Sequence, residues 1–97
     1  MNIESLLTPR GLAYWIMDDG SLQNKGLHLN TYGFTSEDVL RLKHTVENMF
    51  GENSIKCSIH KHKKGDRIYI WEESMDCLRS NIAQFMHKDM LYKLNIS

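Results

Sequence analysis

The sequence has little of what stabilises secreted proteins or anchors membrane proteins. It contains two cysteines, Cys57 and Cys77, and one proline in 97 residues. Two cysteines are too few for a disulfide framework, so a reducing compartment is expected. The longest uninterrupted apolar run is the six residues 12–17, whereas a bilayer-spanning helix needs about 20. The first residues lack the basic start and apolar stretch of a secretory signal, which favours a protein that works inside the cell or inside the organelle that makes it.

The sequence also lacks the excess positive charge that is common in nucleic-acid-binding proteins. Its 12 basic and 12 acidic residues give a net charge of zero. The basic residues are unevenly placed, however, because residues 56–67 carry a net charge of +4 and leave −4 on the rest. Charge gathered in one segment can direct binding to a polyanion even when the total is zero.

Hydrophobic periodicity and turn residues predict the order α-β-β-α-β-β-α-α within a single domain, residues 1–97. Three residues are predicted to cap helix starts: Thr8, Thr35 and Ser74. Gly20 and Gly51 are predicted to end the first two helices. The predicted strands cover residues 21–23, 27–30, 55–62 and 67–71, with turns at 24–26 and 63–66. The pattern indicates an α+β fold, a four-stranded antiparallel sheet with helices on one face.

The first helix has two unusual features. Residues 12–17 offer no polar side, and a helix that is apolar all round is buried on every side. We therefore expect one side to face the core and the other to face a copy of the same helix, with a central core helix as the alternative. Small residues allow close approach of two backbones, and the predicted interface is Gly11, Ala13, Tyr14 and Met17.

The second unusual feature is a pair of carboxylates, Asp18 and Asp19, where this helix ends. The C-terminus of a helix carries a partial negative charge, so each carboxylate there costs roughly 0.3–1 kcal/mol. A bound divalent cation reverses the sign of this interaction, and Mg²⁺ is often held by one or two carboxylates plus substrate phosphates. The alternative is that the two aspartates simply end the helix with Gly20.

Residues 12–20, with the sequence LAYWIMDDG, resemble the LAGLIDADG motif. Four further stretches resemble the organellar intron-encoded branch of that homing endonuclease family: residues 7–9, 29–35, 57–62 and 90–94. The resemblance implies one αββαββα half-unit, similar to the second half of a two-motif enzyme. It also implies a second unit, either another copy or a separately encoded half, and a protein that is encoded and active in a mitochondrion or plastid.

The resemblance further implies roles for individual residues. Asp19 is the expected metal-binding acid of a Mg²⁺- or Mn²⁺-dependent DNA endonuclease, with Asp18 and the Gly20 backbone as further ligands. Lys93 matches a catalytic lysine near the attacking water, and Gln23 and His60 are expected near the same region.

Outward residues of the two predicted hairpins are expected to contact nucleic acid, with Lys61, Lys63 and Lys64 on phosphates and the others on base edges, although an ordinary solvated sheet face is the alternative. They are Gln23, Lys25, His28, Asn30, Lys56, Ser58, His60, Lys61, His62, Lys63, Lys64, Arg67, Tyr69 and Trp71. A zinc site at Cys57, His60, His62 and Cys77 is disfavoured, because strand alternation puts Cys57 and His60 on opposite faces.

The alternative function is a non-catalytic RNA-binding protein derived from a homing endonuclease, either an intron maturase or an organellar ribosome component. A degenerate fragment without activity is a third, weaker option.

Overall fold

The computed structural model describes residues 7–61, 63 and 65–96. Three α-helices and four strands follow the predicted order α-β-β-α-β-β-α, but the last predicted helix is a 3₁₀ helix of seven residues and not an α-helix. The elements are α1 (Pro9–Asp19), β1 (Gly20–Gln23), β2 (Gly26–Asn30), α2 (Ser36–Asn48), β3 (Cys57–His60), β4 (Arg67–Ile70), α3 (Met75–Ile82) and three 3₁₀ helices (Glu72–Ser74, Ala83–Phe85 and Lys88–Leu94). The last of these, Lys88–Leu94, is called the closing helix below. In the described part of the chain, no helix has the length and apolar character needed to cross a bilayer.

The four strands form one antiparallel sheet with the order β1-β2-β4-β3, which confirms the predicted sheet. Its inner face is apolar because alternate residues of each strand point the same way. The helices cover this inner face, so the polar side chains of the strands lie on the other, outer face. The fully buried strand residues are Leu27, Leu29, Ile68 and Ile70.

Helix α1 occupies the centre of the helical layer. It contacts β1, β2, α3, the 3₁₀ turn Ala83–Phe85 and the closing helix. Leu12, Trp15 and Ile16 are buried there, and full burial of such a side chain stabilises the fold by about 1.5–3 kcal/mol. Trp15 Nε1 also donates to the Asn30 backbone carbonyl at 3.1 Å, which links α1 to the end of β2.

The predicted caps at Thr8 and Thr35 are confirmed, whereas the predicted cap at Ser74 is wrong. Thr8 accepts from the Gly11 N–H at 3.0 Å, and Thr35 accepts from the Asp38 N–H at 3.2 Å. Ser74 immediately precedes α3, but its hydroxyl accepts from the Lys56 N–H at 2.8 Å instead of capping that helix. Serine hydroxyls can accept from backbone N–H groups in several ways, and here the Ser74 hydroxyl accepts from the Lys56 N–H of the chain that enters β3.

The first hairpin turn is shorter than predicted. It contains two residues, Asn24 and Lys25, which both have positive φ angles (51° and 71°). This is the conformation of a type I′ turn, whose twist matches that of the flanking strands. Gly26, predicted as part of the turn, instead begins β2. It has to be glycine because a Cβ there would lie 2.5 Å from the Ile70 carbonyl oxygen and closer still to the Tyr69 hydroxyl.

Candidate active site and nucleic-acid face

The acidic end of α1 is exposed to solvent. Asp18 and Asp19 are both exposed, and the chain passes from Asp19 directly into β1 at Gly20. The Gly20 N–H donates to the Ile16 carbonyl, and a Cβ on Gly20 would lie 2.7 Å from that oxygen. Glycine is therefore required by close packing against α1. It is not required by the left-handed conformation common at helix ends, because its φ is −78°.

Lys93 lies at this same end of α1, although it is 76 positions beyond Met17. Its Nζ donates to the Met17 backbone carbonyl at 2.5 Å, from the last turn of the closing helix. A positive charge at a helix C-terminus stabilises the carbonyls that have no partner within the helix. An ammonium group has three hydrogens, so Lys93 keeps two for other acceptors.

The donor set at the end of α1 suits a hard divalent cation but is incomplete within one chain. Mg²⁺ prefers oxygen ligands and binds through one or two carboxylates plus substrate phosphates. Neither Asp18 nor Asp19 forms a salt bridge with any residue that the structure describes. The described residues also contain no group of three or more His, Cys, Asp or Glu side chains placed to hold a metal ion. These residues fit a cation that takes its remaining ligands from other molecules.

The face of α1 available to a second unit differs from the predicted one. Tyr14 is 46% exposed and Met17 is half-buried, so both can contact a partner. Ala13 is fully buried and Gly11 is buried, because both pack into the chain's own core. The expectation that these two small residues face a second helix directly is therefore wrong. One side of α1 is covered by the core, as expected, and the side left open in the single chain is marked by Tyr14.

A cluster of three rings occupies the middle of the outer face of the sheet. It consists of His28 on β2, Tyr69 on β4 and His60 on β3, and is called the ring cluster below. His28 Nε2 and His60 Nδ1 lie 3.2 Å apart. The Tyr69 ring stacks on His60 with a centroid distance of 5.0 Å and meets His28 edge-on at 4.9 Å. The strand register explains the assembly, because Tyr69 is paired with His28 on one side and with Ser58 on the other.

Several other predicted contact residues are held by neighbouring side chains. Trp71 is 39% exposed and donates through Nε1 to the Ser58 hydroxyl at 2.6 Å. Arg67 donates to the Tyr32 hydroxyl at 3.3 Å. Tyr32 was not among the predicted contact residues, because it follows β2 in a loop where no strand alternation applies.

Two of the predicted lysines form ion pairs. Lys61 pairs with Asp66 at 3.2 Å and Lys56 with Glu73 at 3.5 Å. All four residues lie at or beyond the ends of β3 and β4, at the border of the outer face. Exposed pairs of this kind contribute little to stability, so both lysines can exchange their partner for a phosphate at small cost.

The structure separates some residues that were predicted to act together. Lys25 lies in the hairpin turn and not on a strand, so it does not belong to the outer face. Gln23 is at the far end of β1 from Gly20, and His60 lies on β3, three strand positions away from β1. Strands are about 4.8 Å apart, so His60 is roughly 14 Å from β1 across the sheet.

The remaining predicted contact residues lie at strand ends or in the β3–β4 connection. Asn30 ends β2, and Lys63 is exposed in the β3–β4 connection. His62 and Lys64 lie outside the described residues.

Cys57 and His60 lie on opposite faces of the sheet, as the alternation predicted. Cys57 is buried on the inner face, and burial raises the pKa of its thiol to about 12. His60 belongs to the exposed ring cluster. The two side chains therefore cannot share one metal ion.

Comparison with known proteins gives consistent matches over nearly the whole chain. The sequence model of the LAGLIDADG DNA endonuclease family matches residues 1–78. Intron-encoded endonuclease ai4 of Dictyostelium discoideum is 41% identical over 96 residues, which cover 97% of this chain and 58% of that protein. Cytochrome b mRNA maturase bI2 of Saccharomyces cerevisiae is 38% identical over 96 residues, which cover 96% of this chain and 22% of that protein.

A solved structure also matches. The homing endonuclease I-WcaI bound to its DNA recognition sequence has a TM-score of 0.79 and 33% identity, over 93% of this chain and 43% of that one. The chain therefore spans between about a fifth and three fifths of the length of these relatives.

Proposed function

Because the chain belongs to the LAGLIDADG DNA endonuclease family, we propose that it is one subunit of a site-specific, Mg²⁺-dependent endonuclease that cuts both strands of DNA. One observation carries the proposal: Lys93 is hydrogen-bonded to the Met17 carbonyl, at the end of α1 that also carries Asp18 and Asp19. Carboxylates and an ammonium group are the groups that phosphodiester hydrolysis needs on the protein side. The arrangement depends on two segments that lie far apart in the sequence.

A second unit completes the proposed site. One chain supplies two carboxylates, which is too few to hold metal ions at both strands of a duplex. The exposed Tyr14 and half-buried Met17 offer a contact surface on α1, beside the acidic end. The matches to I-WcaI over 43% and to the ai4 endonuclease over 58% of their lengths support a partner of similar size, either a second copy or a separately encoded half.

Asp19, with Asp18 and the Gly20 carbonyl, would hold Mg²⁺ or Mn²⁺. When bound, the metal would supply activation of a water molecule and stabilisation of the leaving oxygen. Lys93 fixes the end of α1 through the Met17 carbonyl, and its two remaining hydrogens can orient that water or neutralise a phosphate oxygen. Gly20 keeps the carboxylates next to the sheet, because the tight passage from α1 into β1 leaves no room for a side chain.

The outer face of the sheet would bind the DNA. Its outward residues include the ring cluster, Arg67 and Trp71, and the β3–β4 connection adds the exposed Lys61 and Lys63. Lysines bind phosphates and give an affinity that falls with salt, whereas histidine, asparagine and arginine can read base edges.

RNA binding without cleavage is the second candidate function. The match to a cytochrome b mRNA maturase over 96% of the chain favours it. The same relatives, intron-encoded endonucleases and a cytochrome b maturase, support a location in a mitochondrion or plastid.

The decisive experiment selects a substrate first and tests cleavage second. Randomised DNA duplexes are enriched on the purified chain in Ca²⁺, and the enriched duplex is then incubated with the protein in Mg²⁺. We expect a double-strand cut that Asp19→Asn abolishes while binding is kept. Asp38→Asn is the matched control, because it makes the same change of charge in the first turn of α2, a different helix from the one that ends at Asp19.

Enrichment of a duplex that the unaltered chain leaves intact in Mg²⁺ would overturn the proposal that two copies of this chain form the endonuclease. A parallel selection with structured RNA tests the second function, which is favoured if only RNA is enriched.

A further inference from the structure

Two histidines on the outer face are joined to each other. His28 Nε2 and His60 Nδ1 lie at hydrogen-bond distance, 3.2 Å, although β4 separates their strands. A neutral imidazole has one N–H donor and one bare acceptor nitrogen, so this contact holds one hydrogen between two rings. The tautomers of the two rings are therefore coupled, because the hydrogen that one ring donates is the one that the other accepts.

Tyr69 holds the pair in this geometry. Its ring stacks on His60 and meets His28 edge-on, while its hydroxyl donates to the Gln23 backbone carbonyl at 3.0 Å. The tyrosine is thereby fixed to β1 at its far end. Its hydroxyl hydrogen is already used, which leaves the two histidines as the polar groups of the ring cluster.

The surroundings oppose a second positive charge near His28. Burial is the largest cause that lowers the pKa of His28, and the charges of His60 and Arg67 lower it further. Nδ1 of His28 is buried and has no hydrogen-bond partner among the described residues. His60, in contrast, is exposed. A positive charge is therefore disfavoured on His28. The exposed end of the pair is Nε2 of His60, which is a bare acceptor nitrogen when His60 Nδ1–H donates to His28.

The other groups around the pair do not supply a compensating negative charge. From β1, Ser21 is paired with His28, and from β3, Ser58 is paired with Tyr69. The nearest carboxylate in sequence to β4 is Asp66, which pairs with Lys61. Among the residues that the structure describes, no carboxylate forms an ion pair with His28 or His60.

We propose that His28 and His60 together form one protonatable contact for duplex DNA. In this contact, His60 donates a hydrogen bond to an acceptor atom of the DNA, and His28 positions the His60 ring. The proposal rests on the proposed function. The negative charge of the DNA offsets the positive charge of Arg67. The histidine pair therefore takes up one proton from solvent on binding. His60 Nε2 then donates to a phosphate oxygen or to a guanine edge.

The proposal makes binding dependent on pH in a defined direction. Protonation is favoured in the complex and disfavoured in the free chain, so affinity rises as pH falls between the two titrations. One proton corresponds to at most about a tenfold gain in affinity per pH unit.

The binding test uses a mixed-sequence DNA duplex of about three helical turns at fixed ionic strength, titrated between pH 8 and pH 6. We expect the unaltered chain to gain affinity as pH falls, and His28→Gln and His60→Gln each to flatten the profile. His44→Gln is the matched control, because His44 is exposed on α2 in the helical layer. The proposal is overturned if the two ring-cluster variants retain the pH profile of the His44→Gln control.

A second measurement does not need DNA. The imidazole signals of the free chain are followed by NMR as a function of pH. We expect His60→Gln to change the titration of His28, and His28→Gln to change that of His60. If the titration curve of each histidine is unchanged when the other histidine is substituted, the claim that the two rings share a proton is overturned. If the chain binds no duplex at any pH, the proposed function fails, and this titration shows separately whether the pair is coupled.

Discussion

Replacing Gly26 by alanine should unfold the sheet more easily and disturb the ring cluster at the same time. The added Cβ would lie 2.5 Å from the Ile70 carbonyl oxygen and closer still to the Tyr69 hydroxyl. The tyrosine can swing away, but it then loses its hydrogen bond to the Gln23 carbonyl and its stacking on His60.

The size of the effect follows from three contributions. Overpacking of this kind costs about 1–3 kcal/mol, and the lost hydrogen bond costs about 1 kcal/mol. The lower conformational entropy of alanine in the unfolded chain offsets about 0.4–1 kcal/mol. The net loss in free energy of unfolding is therefore about 2 kcal/mol. For a chain of this size that corresponds to a fall in Tm of roughly 8–16 °C.

Urea denaturation followed by circular dichroism measures this loss, and a double-mutant cycle identifies its cause. In a Tyr69→Ala background the clash with the hydroxyl is gone, and only the contact with the Ile70 carbonyl remains. We expect Gly26→Ala to cost at least about 1 kcal/mol less in that background, since contacting residues couple by amounts of this order. An equal cost in both backgrounds, or a Gly26→Ala variant as stable as the parent, would refute the reasoning.

Two further predictions concern the inner side of the sheet. Ser74→Ala should lower the free energy of unfolding by about 1–3 kcal/mol, because the Lys56 N–H loses its partner at 2.8 Å; an unchanged urea midpoint would contradict this. In the folded chain at pH 8, iodoacetamide should modify the half-buried Cys77 and spare Cys57, whose thiol stays protonated below its raised pKa of about 12. Peptide mass mapping checks the second prediction, and modification of both cysteines at equal rates in the folded chain would contradict it.

The order of helices and strands could be predicted from the sequence because local signals agreed along the chain. Alternation placed Ile68 and Ile70 on the inner face, and Thr8 and Thr35 have the side chains that cap helices. Errors arose where a distant segment competed with a local preference. Ser74 would cap α3 if Lys56 did not arrive with an unpaired N–H, and no pattern within α3 shows that.

The candidate site was only partly predictable for the same reason. The acidic end of α1 was singled out because carboxylates are unfavourable at a helix C-terminus, and Lys93 was singled out by resemblance. The hydrogen bond that joins Lys93 to Met17, however, spans 76 positions. Ala13 was assigned to a partner interface because its residue type suits close helix packing, yet the monomer's own core covers it. Residue type indicates what a position can tolerate, and only the packing of distant segments decides what it touches.

The long reach of the Lys93 contact has a consequence for synthesis on the ribosome. Residues 9–19 are synthesised first, and the lysine that anchors their carboxyl end is added more than seventy peptide bonds later. Until then the last turn of this helix lacks its cation and remains prone to fraying, since contacts between remote segments form late. A nascent chain stalled before residue 93 would thus carry the two aspartates on a helix end without its cation, and the candidate site would be assembled only after residue 93 has left the ribosome.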